Sequence, residues 1–186
     1  MGVLRYRTRS GELKFWTLKE ILQGKSINRV THPVFVVFPI AFFSGAFGID
    51  VLSRLGLSGA ALAGTYAVAA GLIGAFFSIV TGLVDRSTMK PNAKIRRVAT
   101  RHMFIQLTAT AFFVANLIVR WSDRHVQHGK ILWIVLDVLG LATVIVGGDV
   151  GASMVFKMGY RVGPQQGEAA AEPADEGTEA QLAPSP

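Results

Sequence analysis

Four stretches of this chain, Pro33 to Leu52, Ala60 to Val84, Val98 to Val119 and Ile131 to Gly151, are apolar around the whole circumference of a helix. About 20 such residues wound as an α-helix cross the hydrocarbon core of a bilayer. A helix buried in a soluble domain carries an apolar stripe and a polar face, and these runs have no polar face. The fold class they predict is all-α: an integral membrane four-helix bundle, with the lipid bilayer as its first partner.

Basic residues fix the expected orientation, because Lys and Arg stay on the cytoplasmic side. Of the 19 Lys and Arg, fifteen lie in the N-terminal segment, the second loop and the C-terminal segment; four, Arg54, Arg120, Arg124 and Lys130, lie in the first and third loops. Both termini are expected in the cytoplasm, with the protein in the inner (plasma) membrane. The first apolar run begins only after some thirty residues, which reads as a retained segment rather than a signal peptide. Membrane topology and anionic lipid account for the basic flanks, and no nucleic-acid recognition module appears.

Residues 1–30 read as a basic cytoplasmic segment with a short helix lying on the membrane face. Thr17 is its N-cap, Glu20 closes a capping box, Trp16 is placed to staple onto Ile21, and Gly24 ends the helix. Residues 31–162 hold the four spans. From residue 163 onward the chain carries five acidic residues and no basic ones amid Ala, Gly and Pro; that composition is expected to stay disordered.

Helices in lipid associate through close contact between small residues. Gly71, Gly74 and Gly82 mark such strips on the second span, Gly147 and Gly151 on the fourth, and Ala41/Gly45 and Ser44/Gly48 on the first. The same glycines would also give clearance for a flat cofactor such as haem. Pro33 suits the first turn of a helix, and Pro39 should kink the first span.

Ionisable residues inside a bilayer are costly and are functional candidates by default. The expected topology gathers His32, Asp85, His102 and Asp149 near the cytoplasmic ends of the four spans, with Gln106 and Thr110 extending a polar strip from His102. Three readings of this layer compete. His32 caps the first helix while the others bond Arg86, Arg101 or water; or His32 and His102 are axial ligands of a haem b; or His32, Asp85 and His102 hold a small metal ion or a proton. With no cysteine in the chain, thiolate metal sites and iron–sulfur clusters are excluded. Asp50 and Asp137, nearer the other side, read as hydrogen-bonded packing groups, with a proton path as the alternative. No nucleophile triad or phosphate-binding loop is present, so catalysis by the chain alone is not expected.

Several of these residues fall in motifs. His32-Pro33, Phe38-Pro39-Ile40, Gly82-Leu83-Val84-Asp85, His102, and the closing segment Gly151 to Val162 resemble bacterial membrane proteins of domain of unknown function 2231, over about Ile27 to Val162. The closing segment is similar to that family's Gly-Gly-x-Leu-Val-Tyr-x-x-Gly-x-x-Val signature, with Ala152 in place of the second glycine and Phe156 in place of the tyrosine. The resemblance implies a layout like that of small cytochrome b-type bundles. It also implies a link to membrane electron transfer and a membrane redox partner, since some relatives are joined to Rieske domains; apart from the resemblance, a homo-oligomer is the other assembly expected. A colourless structural or assembly protein is the alternative.

Overall fold

The computed structural model describes residues 2–7, 12–27, 30–91 and 93–161. Four long helices dominate it: α2 (Thr31–Arg54), α3 (Ala60–Ser87), α4 (Lys94–Trp121) and α5 (Ile131–Phe156). All four are long and apolar enough to cross a membrane, with mean hydropathies of 2.0, 2.2, 1.6 and 2.3. The expected spans sit inside these helices, which run beyond them by up to about one turn at either end. The extra turn at the start of α4, Lys94–Arg97, is polar, so hydropathy alone does not register it.

Before the spans, the chain departs from an all-α reading. Gly2–Arg7 (β1) and Leu13–Thr17 (β2) pair antiparallel, with Leu4 opposite Trp16 and Arg5 opposite Phe15. Alternating residues around a Ser10-Gly11 turn signal favour strands here. The ring of Trp16 stacks on Tyr6, centroids 4.6 Å apart. The short helix follows as expected: α1 (Leu18–Leu22) starts at Thr17, whose hydroxyl accepts from the Glu20 backbone N–H at 3.3 Å while Glu20 accepts from the Thr17 N–H at 3.0 Å. Gly24 then takes the left-handed conformation (φ 75°) that stops it. The acidic tail, residues 163–186, lies outside the described residues.

The helices pack in a ring, α2 on α3, α3 on α4, α4 on α5 and α5 on α2, and the α2–α3 and α4–α5 hairpins are the tightest pairs. Glycines let them close. A Cβ on Gly74 would stand 2.7 Å from Phe38 Cβ and 3.0 Å from Pro39 Cδ, and one on Gly71 would enter the ring of Phe43. Gly45 and Gly48, expected to do the same on α2, have nothing within 4 Å, so that strip faces outward.

The two hairpins repeat one another. His32 and His102, Phe43 and Phe113, and Asp50 and Arg120 are each 70 residues apart; Gly71 and Gly140, Ser78 and Gly147, and Gly82 and Gly151 are each 69 apart. The first three pairs meet across the bundle: the histidine rings edge to face, the phenylalanines stacked, the charges as an ion pair. The hairpins thus face each other about an approximate two-fold axis along the bundle. The core lies on that axis, where Phe43, Ala46, Val68, Ala75 and Phe113 are buried together.

Candidate functional site

The chamber between the hairpins opens near the end of the bundle where the two termini of the four-helix unit lie, which is also the more basic end. His32 is the second residue of α2. The helix begins at Thr31 with Val30 at its cap position, so His32 is not the N-cap, and its ring is free to turn inward. His102 lies two turns into α4. The ring centroids are 6.5 Å apart with their planes at 89°.

Each imidazole is held by the partner helix of its own hairpin, in the same way. His32 Nδ1 lies 3.0 Å from the Ser78 carbonyl oxygen and 3.3 Å from Thr81 Oγ1 on α3. His102 Nδ1 lies 2.7 Å from the Gly147 carbonyl oxygen on α5. A carbonyl only accepts, so Nδ1 carries the hydrogen in both rings, and the neutral imidazole keeps its lone pair on Nε2. Four residues further along each partner helix is a glycine beneath the ring. A Cβ on Gly82 would stand 3.0 Å from His32 Cε1, and one on Gly151 would stand 2.9 Å from His102 Cε1. A hydrogen bond and a flat glycine surface thus orient each ring, as a hydrogen bond to the far ring nitrogen orients a metal-ligating histidine.

The rings border a cavity of about 200 Å³, lined also by Asp85, Gln106, Thr110 and Tyr160. The polar strip expected on α4 therefore faces inward. Gln106 in addition packs on Gly147, where a Cβ would stand 2.9 Å from its side-chain carbon.

Asp85 borders this cavity but does not pair with Arg86 or Arg101. Its carboxylate lies 3.1 Å from the guanidinium of Arg161. Arg161, at φ 57°, ends a turn that also places Gly159 at φ 63°, and it donates to the Gln23 carbonyl at 3.4 Å. Beside it, burial pushes the Tyr160 phenol above its ordinary pKa, and the Arg161 charge works against that rise. Arg86 instead ties α3 to α4 through Thr100 Oγ1 at 3.0 Å. Among the described residues no three of His, Asp and Glu are grouped so as to hold a metal ion.

Asp149, expected in the same layer, is exposed on the outer side of α5, between the inward-facing Gly147 and Gly151. Arg120 departs from expectation in the other direction. Counted as a loop residue, it lies within α4 with no exposure and pairs with Asp50 and, at 3.8 Å, with Asp137. The sequence carries a signal for it, the 70-residue offset that sets Arg120 opposite Asp50 as it sets His102 opposite His32.

No curated protein and no solved structure matches the chain. A family described as predicted membrane proteins, DUF2231, matches residues 29–164, which takes in both hairpins, both histidines and the closing turn. The match covers well over half of the sequence, and the chain belongs to the DUF2231 family of predicted membrane proteins.

Proposed function

We propose that this protein is a membrane-embedded haem b subunit for electron transfer, with His32 and His102 as the two residues that would hold the haem. The observation that carries the reading is the paired Nδ1–carbonyl contact, to Ser78 and to Gly147, which reserves both Nε2 lone pairs. A haem b would be held by two imidazoles from different helices, and these come from the two hairpins on either side of the axis.

The cavity, about 200 Å³, is smaller than the ~300–1,000 Å³ of sites for drug-sized ligands. Loading a macrocycle therefore requires the hairpins to part, and the looser packing between hairpins than within them supports that. When bound, a haem supplies a one-electron carrier. The chain's own residues orient the imidazoles, exclude water with apolar walls, and bring Tyr160 and Asp85 to the cavity, with Arg161 paired to Asp85. The basic flanks support placing this end at the cytoplasmic face of the inner membrane, with both termini inside and the N-terminal hairpin and α1 against anionic lipid.

The test is a reduced-minus-oxidised visible spectrum of the protein purified in mild detergent after haem-replete expression. A haem b band that disappears in His32→Ala and in His102→Ala is the expected result; a colourless wild-type protein overturns the proposal. The small cavity favours a second reading, a structural or assembly protein without cofactor, and a colourless preparation would leave that one standing. Elemental analysis of the same sample examines the small-metal reading through His32, Asp85 and His102.

A further inference from the structure

Far from the histidines, toward the other end of the bundle, Asp50 of α2, Asn116 and Arg120 of α4, and Asp137 of α5 meet with no exposure at all. Arg120 closes an ion pair with Asp50, and its Nη2 lies 3.8 Å from Asp137 Oδ2. Its Nε donates to Asn116 Oδ1 at 2.8 Å, and Asn116 Nδ2 donates to Asp137 Oδ1 at 2.6 Å and to the Trp133 carbonyl at 3.1 Å. The guanidinium also lies over the Trp133 ring, 4.7 Å from its centroid.

This cluster is one positive charge short. Two carboxylates face one guanidinium, and the buried residues of this stretch of α3, Ala61, Gly64 and Thr65, are uncharged. His128 in the α4–α5 loop, next to Gly129, directs its Nδ1 at the Ser53 carbonyl at 2.8 Å rather than at either carboxylate. Asp50 Oδ1 and Asp137 Oδ2 are buried without a hydrogen-bond partner, as is Arg120 Nη1. An unbalanced, unpartnered charge in a low-dielectric interior is among the costliest arrangements a chain can hold. Whatever supplies the balancing charge must also be very small, since even a Cβ on Gly64 would come within 2.5 Å of Asp50 Oδ1. Among cations a proton alone needs no volume.

We propose that Asp50, Arg120 and Asp137 form a proton-binding site separate from the histidine chamber. One proton from a hydronium ion at this end of the bundle forms an O–H bond on one of the two carboxyl groups, leaving a neutral water behind, and that O–H can donate to the other carboxylate. The bound proton makes the cluster neutral. Arg120 holds both carboxyl groups against it, and Asn116 fixes the face that Asp137 presents. The proposal does not depend on haem.

Infrared spectroscopy of the full-length protein in lipid vesicles at neutral pH tests it. The expected spectrum contains the carbonyl stretch of a protonated carboxylic acid. Asp50→Asn and Asp137→Asn should each abolish that band completely, because either change removes the excess negative charge and leaves one carboxylate balanced by Arg120. A folded wild-type protein with no such band overturns the proposal, and so does a band that survives in both variants. If a variant fails to fold, the wild-type spectrum still decides, and Asp85→Asn, which should leave the band intact, checks its assignment.

Discussion

The rings of Phe43 and Phe113 lie face to face at the centre of the bundle, centroids 3.6 Å apart and planes within 4° of parallel. Aromatic pairs usually prefer offset or edge-on arrangements. Here the repeat brings equivalent residues together across the axis, and each ring is backed by a glycine of its own hairpin, Gly71 behind Phe43 and Gly140 behind Phe113. The stack is the main apolar contact joining the halves between the histidines and the charge cluster.

Replacing either phenylalanine by alanine should destabilise the bundle by about 3–5 kcal/mol. Because the rings are in direct contact, the two changes should not add. The double variant is expected to fall short of the sum by about 0.5–1.5 kcal/mol, the worth of the stacked pair beyond its burial. Reversible unfolding in mixed micelles measures all three, and strict additivity would mean that the rings do not interact.

Gly82 and Gly151 leave room for the imidazoles, so a larger side chain at either position must displace a histidine. Gly82→Leu and Gly151→Leu should each cost about 1–3 kcal/mol through overpacking. Each should also release only the ring above it from its carbonyl partner. Nitrogen-15 NMR of the imidazoles reports this, with loss of the Nδ1–H signal of His32 in the first variant and of His102 in the second. Retention of both signals in both variants would contradict the packing described here.

The N-terminal cap should respond to acid. Hydrogen bonds from the Thr17 backbone N–H and then its hydroxyl hold the Glu20 carboxyl below its usual 4.5. A lowered value means that the folded form binds its proton less readily than the unfolded form does. The cap's contribution is therefore fully present above the usual value and is lost as pH falls through the lowered one. Titrating the Thr17 amide shift should follow the Glu20 carboxyl, and Thr17→Ala should return that carboxyl toward its usual value.

Much of this architecture was legible from local pattern. Length and hydropathy located four helices, and the Thr17–Glu20 spacing located the start of α1, because both depend on residues within a few turns of each other. Helix-end arithmetic placed His32 and His102 at matched depth for the same reason. The β1–β2 pairing escaped because residues 1–16 read only as a basic flank, and the one local signal in the segment was the capping box of α1. Arg120 escaped for a different reason. A guanidinium at the edge of an apolar run looks like the first residue of a loop, and what keeps it inside is Asp50, 70 positions away. Asp149 failed in the opposite sense: its depth could be counted, but the face it occupies is set by Gly147 and Gly151 turning toward His102. The repeat itself was written in Ala41-Phe42-Phe43 and Ala111-Phe112-Phe113, too short a match to stand out until the rings were seen in contact.

The 70-residue repeat gives experiments on this chain a built-in comparison. Any substitution at His32, Phe43 or Gly82 has a twin at His102, Phe113 or Gly151, in a near-equivalent setting on the same molecule. Twin variants that behave alike report on what the halves share, and twins that diverge isolate what one hairpin has acquired alone. The sharpest such divergence is already visible, where one half carries an acid and the other a base, so that neither hairpin can stand in for its counterpart.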